Sequence, residues 1–117
     1  MAPRQRDHQF LTINPGDILF GEVTKSKYGE DAGLKIAERN GKLWIVRVRE
    51  DSIFKKFHIP IEAGDQILNV NGQNVTANAI GDGLGLEDTR RIFKEEPLIK
   101  LKLCRAQYGL YDCPSTI

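Results

Sequence analysis

The chain has 117 residues, 40% of them hydrophobic and 28% charged, with a formal net charge of +1. That length suits one domain burying roughly two-thirds of its unfolded surface, and the near-neutral charge argues against a nucleic-acid footprint, which needs a basic excess on one face. No apolar run approaches the ~18 residues of a membrane span, the charged, proline-containing N-terminus lacks the pattern of a secretory signal, and two cysteines, Cys104 and Cys113, are too few to build a disulfide-framed mini-domain. A reduced, cytoplasmic setting is the expectation.

Residues 1–13 form the expected mobile arm, with no periodicity over 1–11. Asn14-Pro15-Gly16-Asp17 is a turn signal, after which residues 18–25 alternate apolar and polar as a first strand. Residues 34–37 and 43–48 read as a hairpin reversed at Asn40-Gly41, a dipeptide that accepts positive φ at low cost. Ser52 is placed to cap a short helix running to His58 and stopped by Pro60. Gln66 to Val70 is a buried strand, which Asn71-Gly72 turns back into residues 73–75. Residues 76–85, with Ala77, Gly81, Gly83 and Gly85, are a loop too rich in glycine for an element of its own. From Leu86 the period changes. Leu86, Thr89, Ile92 and Phe93 share one side of a helix with Glu87 and Asp88 near its positive end and Pro97 beyond it. Ile99, Leu101 and Leu103 then alternate with Lys100, Lys102 and Cys104 in a half-buried last strand, and residues 106–117 follow as a tail.

Two stretches carry a family likeness: Asp31-Ala32-Gly33-Leu34 leading into the second strand, and Gly64-Asp65-Gln66-Ile67-Leu68-Asn69-Val70-Asn71-Gly72 further on. With the order strand, strand, strand, short helix, strand, strand, longer helix, strand, they resemble a PDZ domain. The likeness spans residues 18–105 and is nearest in spacing to the PDZ domains of GIPC-type adaptors and of syntenin. It implies a mainly β, α+β fold over residues 14–105: a partly open antiparallel barrel or sandwich of five to six strands with two helices. It also implies an adaptor module rather than an enzyme, one that receives the free C-terminus of a partner protein as an added strand between the second strand and the second helix.

Asp31-Ala32-Gly33-Leu34 fills the family's X-Φ-Gly-Φ loop, with Ala32 where a larger apolar residue is usual, so that wall of the pocket is expected to be wider. Successive amides in such a loop form a nest for a terminal carboxylate, and Gly33 lets the backbone approach without a Cβ in the way. The resemblance lays the ligand along Ala32, Gly33, Leu34, Lys35, Ile36 and Ala37, with Leu34 and Ile36 flooring the pocket for its last side chain. Leu86, Arg90 and Phe93 make the helical wall, and Lys25 or Lys27 assists the carboxylate. Family members that select Ser or Thr two residues before the ligand terminus have a histidine at the helix's first position. Leu86 stands there instead and favours an apolar residue. Arg90, one turn on, either pairs with an acidic ligand residue or is simply solvated.

Other chemistry is weakly supported. Gly81-Asp82-Gly83-Leu84-Gly85 lacks the glycine at position 86 and the Lys-Ser/Thr that nucleotide loops need. His8 and His58 assemble no triad, and the scattered His and Cys match no metal spacing, so neither a cofactor nor a metal is expected. Cys104, between Lys102 and Arg105, reads as an inert thiol, and Trp44 as packing. Lys55, Lys56, Arg90, Arg91 and Lys94 offer a weak surface for anionic lipid, diluted by Glu87, Asp88, Glu95 and Glu96. Ser115-Thr116-Ile117 is itself a terminus of the Ser/Thr-X-Φ type that PDZ domains take. A second reading is therefore a unit whose own tail fills a neighbour's groove. On the adaptor reading, the chain reaches the membrane periphery through its partners.

Overall fold

The computed structural model describes residues 12–26, 31–75 and 83–113. The elements are β1 (Ile18–Thr24), β2 (Leu34–Arg39), β3 (Lys42–Val48), α1 (Ile53–Lys56), β4 (Gln66–Val70), β5 (Gln73–Asn74), α2 (Leu86–Glu95) and β6 (Leu98–Cys104). The strands run in the order β1-β6-β4-β3-β2, with β5 beside β4, and every strand pair is antiparallel. The sheet is not closed into a barrel. With the two helices among the described residues it is the mainly β, α+β arrangement that the sequence led us to expect.

Two Asn-Gly pairs make the tight reversals. Asn40 and Gly41 (φ 57° and 74°) join β2 to β3, and Asn71 and Gly72 (φ 51° and 86°) join β4 to β5. Positive φ at both central residues matches the twist of the flanking strands. Asn71 also stitches its turn to β6, since its Nδ2 donates to Leu98 O at 3.0 Å and its Oδ1 accepts from Lys100 N at 2.7 Å.

The alternation seen in the last strand holds: Ile99, Leu101 and Leu103 are buried in the core, together with Leu19, Val23, Ile36, Leu43, Ile45, Phe54, Ile67, Val70 and Phe93. Ile13, read as part of the arm, packs against this core. Helix α1 is shorter than residues 52–58. Ser52 caps it as expected, accepting from Phe54 N at 3.2 Å, but His58 turns to φ 58° and Ile59 N reaches back to Phe54 O at 2.9 Å. A left-handed residue after the last turn ends the helix before Pro60 is reached. Lys35 pairs with Arg47 and Ile36 with Ile45, so Val46 is an extra residue that bulges β3.

Residues 106–113 pack on the sheet rather than trailing from it. Tyr108 N donates to Gly64 O at 2.9 Å, the Tyr108 ring lies 6.3 Å from that of Trp44, and Trp44, Leu68, Cys104 and Ala106 form a second buried cluster. Trp44 is thus a packing residue, its Nε1 donating to Arg39 O at 3.1 Å. The reading of Cys104 as a thiol is overturned. Cys104 is joined to Cys113 in a disulfide across a Cα–Cα distance of 6.0 Å, within the span such a bond needs. Gln107, Tyr108 and Gly109, all at positive φ, bend the chain back to make the pairing. Nothing in the spacing of two cysteines announced that turn, and with both cysteines paired the argument for a reduced setting loses its ground.

Candidate functional site

Strand β2 is an edge of the sheet, and an edge strand presents a row of main-chain donors and acceptors to anything that lies beside it. Gly33 O accepts from Arg49 N at 2.9 Å, toward β3. By the alternation of the strand, the carbonyls of Leu34 and Ile36 face away from β3, toward α2. Between β2 and α2 runs a groove of about 750 Å³. Leu34, Ile36 and Phe93 supply its apolar lining, and Ile36 and Phe93 also belong to the core.

The loop at the end of the groove is fixed from below. Gly33 has φ 80°, and a Cβ there would stand 2.6 Å from Ser52 Cα. Only glycine suits that conformation and that approach. Ser52 Oγ donates to Ala32 O at 2.7 Å, tying the loop to the cap of α1. The Gly33 amide is engaged by the loop's own acid, donating to Asp31 Oδ1 at 2.9 Å. Arg49 Nη1 lies 3.9 Å from Asp31 Oδ2, and its Nε donates to Asp51 Oδ1 at 3.0 Å. That hydrogen bond holds the Asp51 carboxyl below the usual carboxylate range and raises Arg49 in turn.

The remaining lining is charged. Six cationic side chains, Lys35, Arg47, Arg49, Arg90, Arg91 and Lys94, face three acidic ones, Asp31, Glu87 and Glu95. In a chain of net charge +1, the groove gathers positive charge. Arg90 crosses it, with Nη2 directed at Ile36 O at 3.4 Å and Nη1 bonded to Glu87 Oε2 at 2.7 Å.

Helix α2 begins at Leu86, the position anticipated for it. Gly85 has no side chain to cap the helix, and Asp88 Oδ2 instead accepts from Gly85 N at 3.3 Å. Of the residues read as peptide-binding, Leu34, Lys35, Ile36, Arg90 and Phe93 come together on the groove. Gly33 sets the loop beside it. Ala32 is fully buried, Ala37 lies on β2 outside the lining, and Leu86 packs half-buried against the core. Lys25 is buried outside the lining, its Nζ donating to Phe93 O at 2.6 Å. Lys27 and Ser115, Thr116 and Ile117 lie outside the described residues, as does His8. His58 is exposed at the end of α1, and no cluster of metal-ligating side chains occurs among the described residues. Sequence reasoning did not place Asp31, Arg47, Arg49, Glu87 or Glu95 on the groove. The pairing of Arg47 with Lys35 depends on the bulge at Val46, which no local signal reveals.

No family model matches the chain, and neither does any curated protein sequence. Solved structures do. A PDZ domain from choanoflagellate GIPC bound to a B1AR peptide superposes with a TM-score of 0.63 at 23% identity, covering 87% of this chain and 100% of that one. MUPP1 PDZ4 gives a TM-score of 0.60 at 24% identity over 76% of each chain. The chain has the PDZ fold. The third PDZ domain of human Dlg5 adds a TM-score of 0.61 at 18% identity, covering 100% of this chain and 87% of that one. In PDZ terms the groove lies between the second strand and the second helix, and Asp31-Ala32-Gly33-Leu34 is the loop at its end.

Proposed function

We propose that this PDZ-fold chain is a protein-interaction module that takes the free C-terminus of a partner protein as an antiparallel strand added to β2. One observation carries the reading. The loop held by Gly33 stands at the end of the same open groove that the Ile36 carbonyl faces, so a tight glycine loop and a strand edge lie side by side. Main-chain bonds along β2 supply affinity, and the Leu34–Ile36–Phe93 floor receives the last side chain. The GIPC domain with the same fold is a peptide complex, which supports this reading. On this reading the role is that of an adaptor.

The test is titration with a peptide in two forms, free acid and C-terminal amide. Amidation removes the charge and one acceptor that the loop amides solvate, and most of the affinity is expected to go with it. Equal binding of the two forms refutes terminal recognition.

A further inference from the structure

Two of the backbone groups that an added strand would use are already engaged by this chain's own side chains. The Gly33 amide donates to Asp31, and the Ile36 carbonyl faces Arg90. From this, and resting on the peptide-binding reading above, we infer that Arg90 is a latch across the groove, and that the ligand which opens it carries an acidic side chain two residues before its terminus.

The register follows from antiparallel pairing. A carboxylate at the Gly33 loop puts the last ligand residue opposite Leu34, and the residue two before it opposite Ile36. That residue's N–H is the group that must replace Arg90 at the Ile36 carbonyl. Directly opposed residues in an antiparallel pair point to the same face. Ile36 points into the groove floor beneath α2, so the opposed ligand side chain does so too, and it meets Arg90. At 3.4 Å the Arg90 contact is long for a hydrogen bond, and a strand amide displaces it readily once the guanidinium has somewhere better to go.

A ligand carboxylate is that destination. It offers Arg90 a charge-assisted, two-pronged bond, where a hydroxyl or alkyl group offers none. Glu87, now bonded to Arg90, is the internal competitor. The surplus of cations along the groove, with Arg91, Lys94, Lys35 and Arg47 close by, favours the external anion. Arg90 is therefore a specificity-determining residue.

The experiment uses the full chain and three free-acid peptides, identical except for Glu, Gln or Leu two residues before the terminus. Binding is measured with the wild type, Arg90→Ala and Glu87→Gln. The Glu peptide is expected to bind the wild type roughly tenfold tighter than the Gln peptide, with the gap narrowing in high salt. Arg90→Ala is expected to abolish the gap between the Glu and Gln peptides, whatever it does to the affinity they share. Glu87→Gln is expected to widen it. Equal binding of Glu and Gln peptides to the wild type, a preference for Leu, or a gap that survives Arg90→Ala overturns the inference while leaving carboxylate-dependent peptide binding intact. Loss of all distinction between free-acid and amidated peptides overturns the peptide reading and this inference with it. Anionic phosphatidylserine vesicles that bind the wild type but not Arg90→Ala, with no peptide discrimination, assign the cations to a membrane surface and likewise overturn it.

Discussion

Gly33 sits so close over Ser52 that a Cβ on residue 33 would lie 2.6 Å from the Ser52 Cα. The loop at the end of the groove is thus positioned by the residue that also caps α1, since Ser52 Oγ donates to Ala32 O and accepts from Phe54 N. Gly33→Ala forces a left-handed alanine and a backbone overlap at once, and is expected to cost roughly 2–4 kcal/mol. Ser52→Ala leaves the Ala32 carbonyl unpaired and removes the cap, for about 1–3 kcal/mol. Denaturant midpoints measure both, and each variant is expected to lose peptide affinity beyond what its stability loss explains.

On the proposed peptide-binding reading, Asp31 would compete with the ligand carboxylate for the loop amides. Its Oδ1 takes the Gly33 amide at 2.9 Å, and its charge repels a terminal carboxylate brought to the same place. Asp31→Ala is expected to tighten binding of free-acid peptides by about two- to tenfold and to leave amidated peptides unaffected. Unchanged affinity for the free acid would show that the ligand carboxylate is held elsewhere.

The pair that joins the end of β6 to the β4 turn is buried. Asp65 Oδ1 accepts from Arg105 Nε at 2.7 Å, Asp65 Oδ2 accepts from Glu62 N at 3.0 Å, and Arg105 also bonds Pro60 O. Burial pushes the Asp65 carboxyl up, with the bond from Arg105 and the Glu62 amide opposing it. Asp65→Ala strands a buried guanidinium and is expected to cost about 3–5 kcal/mol, while Asp65→Asn keeps an acceptor and costs less. A carboxyl whose folded pKa is raised binds its proton more tightly in the native state. The stability it adds is present in acid and is lost as pH rises through the folded pKa. The wild type's advantage over Asp65→Asn is therefore expected to shrink as pH rises out of the acid range, by chemical denaturation across pH. A widening advantage reverses the sign.

What was legible in the chain is what local chemistry dictates. Asn40-Gly41 and Asn71-Gly72 announce positive φ, Leu86 to Phe93 shows its helical stripe, and Ile99, Leu101 and Leu103 show the strand period. Gly33 was legible as a glycine that a loop requires, and its contact with Ser52 explains why. The rest depends on partners distant in sequence. The Val46 bulge puts Arg47 beside Lys35, the Arg90 contact spans from α2 to the β2 carbonyl, and residues 106–113 stay put because Trp44 and Gly64 receive them. Lys25, expected to help bind an anion, is close enough to α2 for its ammonium to bond a helix carbonyl, and no pattern near residue 25 indicates this.

The Cys104–Cys113 bond changes what the C-terminus can do. Ser115-Thr116-Ile117 is tethered through Pro114 to the cross-linked Cys113, and the four residues 114–117 span at most about 13 Å at ~3.3 Å each. Filling a neighbour's groove with Ile117 at the Gly33 loop uses those same four residues, so Cys113 of one copy has to stand at the mouth of the other. If Cys113 cannot stand there, the oxidised full chain and a chain lacking residues 115–117 are expected to sediment alike at high concentration and to bind external peptide equally. Slower dissociation or larger assemblies in the full chain alone restore the reading in which the tail is its own ligand. Cys113→Ser separates the two effects of the cross-link. It is expected to lower stability by roughly 2–3 kcal/mol, as loss of a short closed loop does. If self-association that depends on residues 115–117 appears only in this variant, the disulfide is what keeps the tail from a groove.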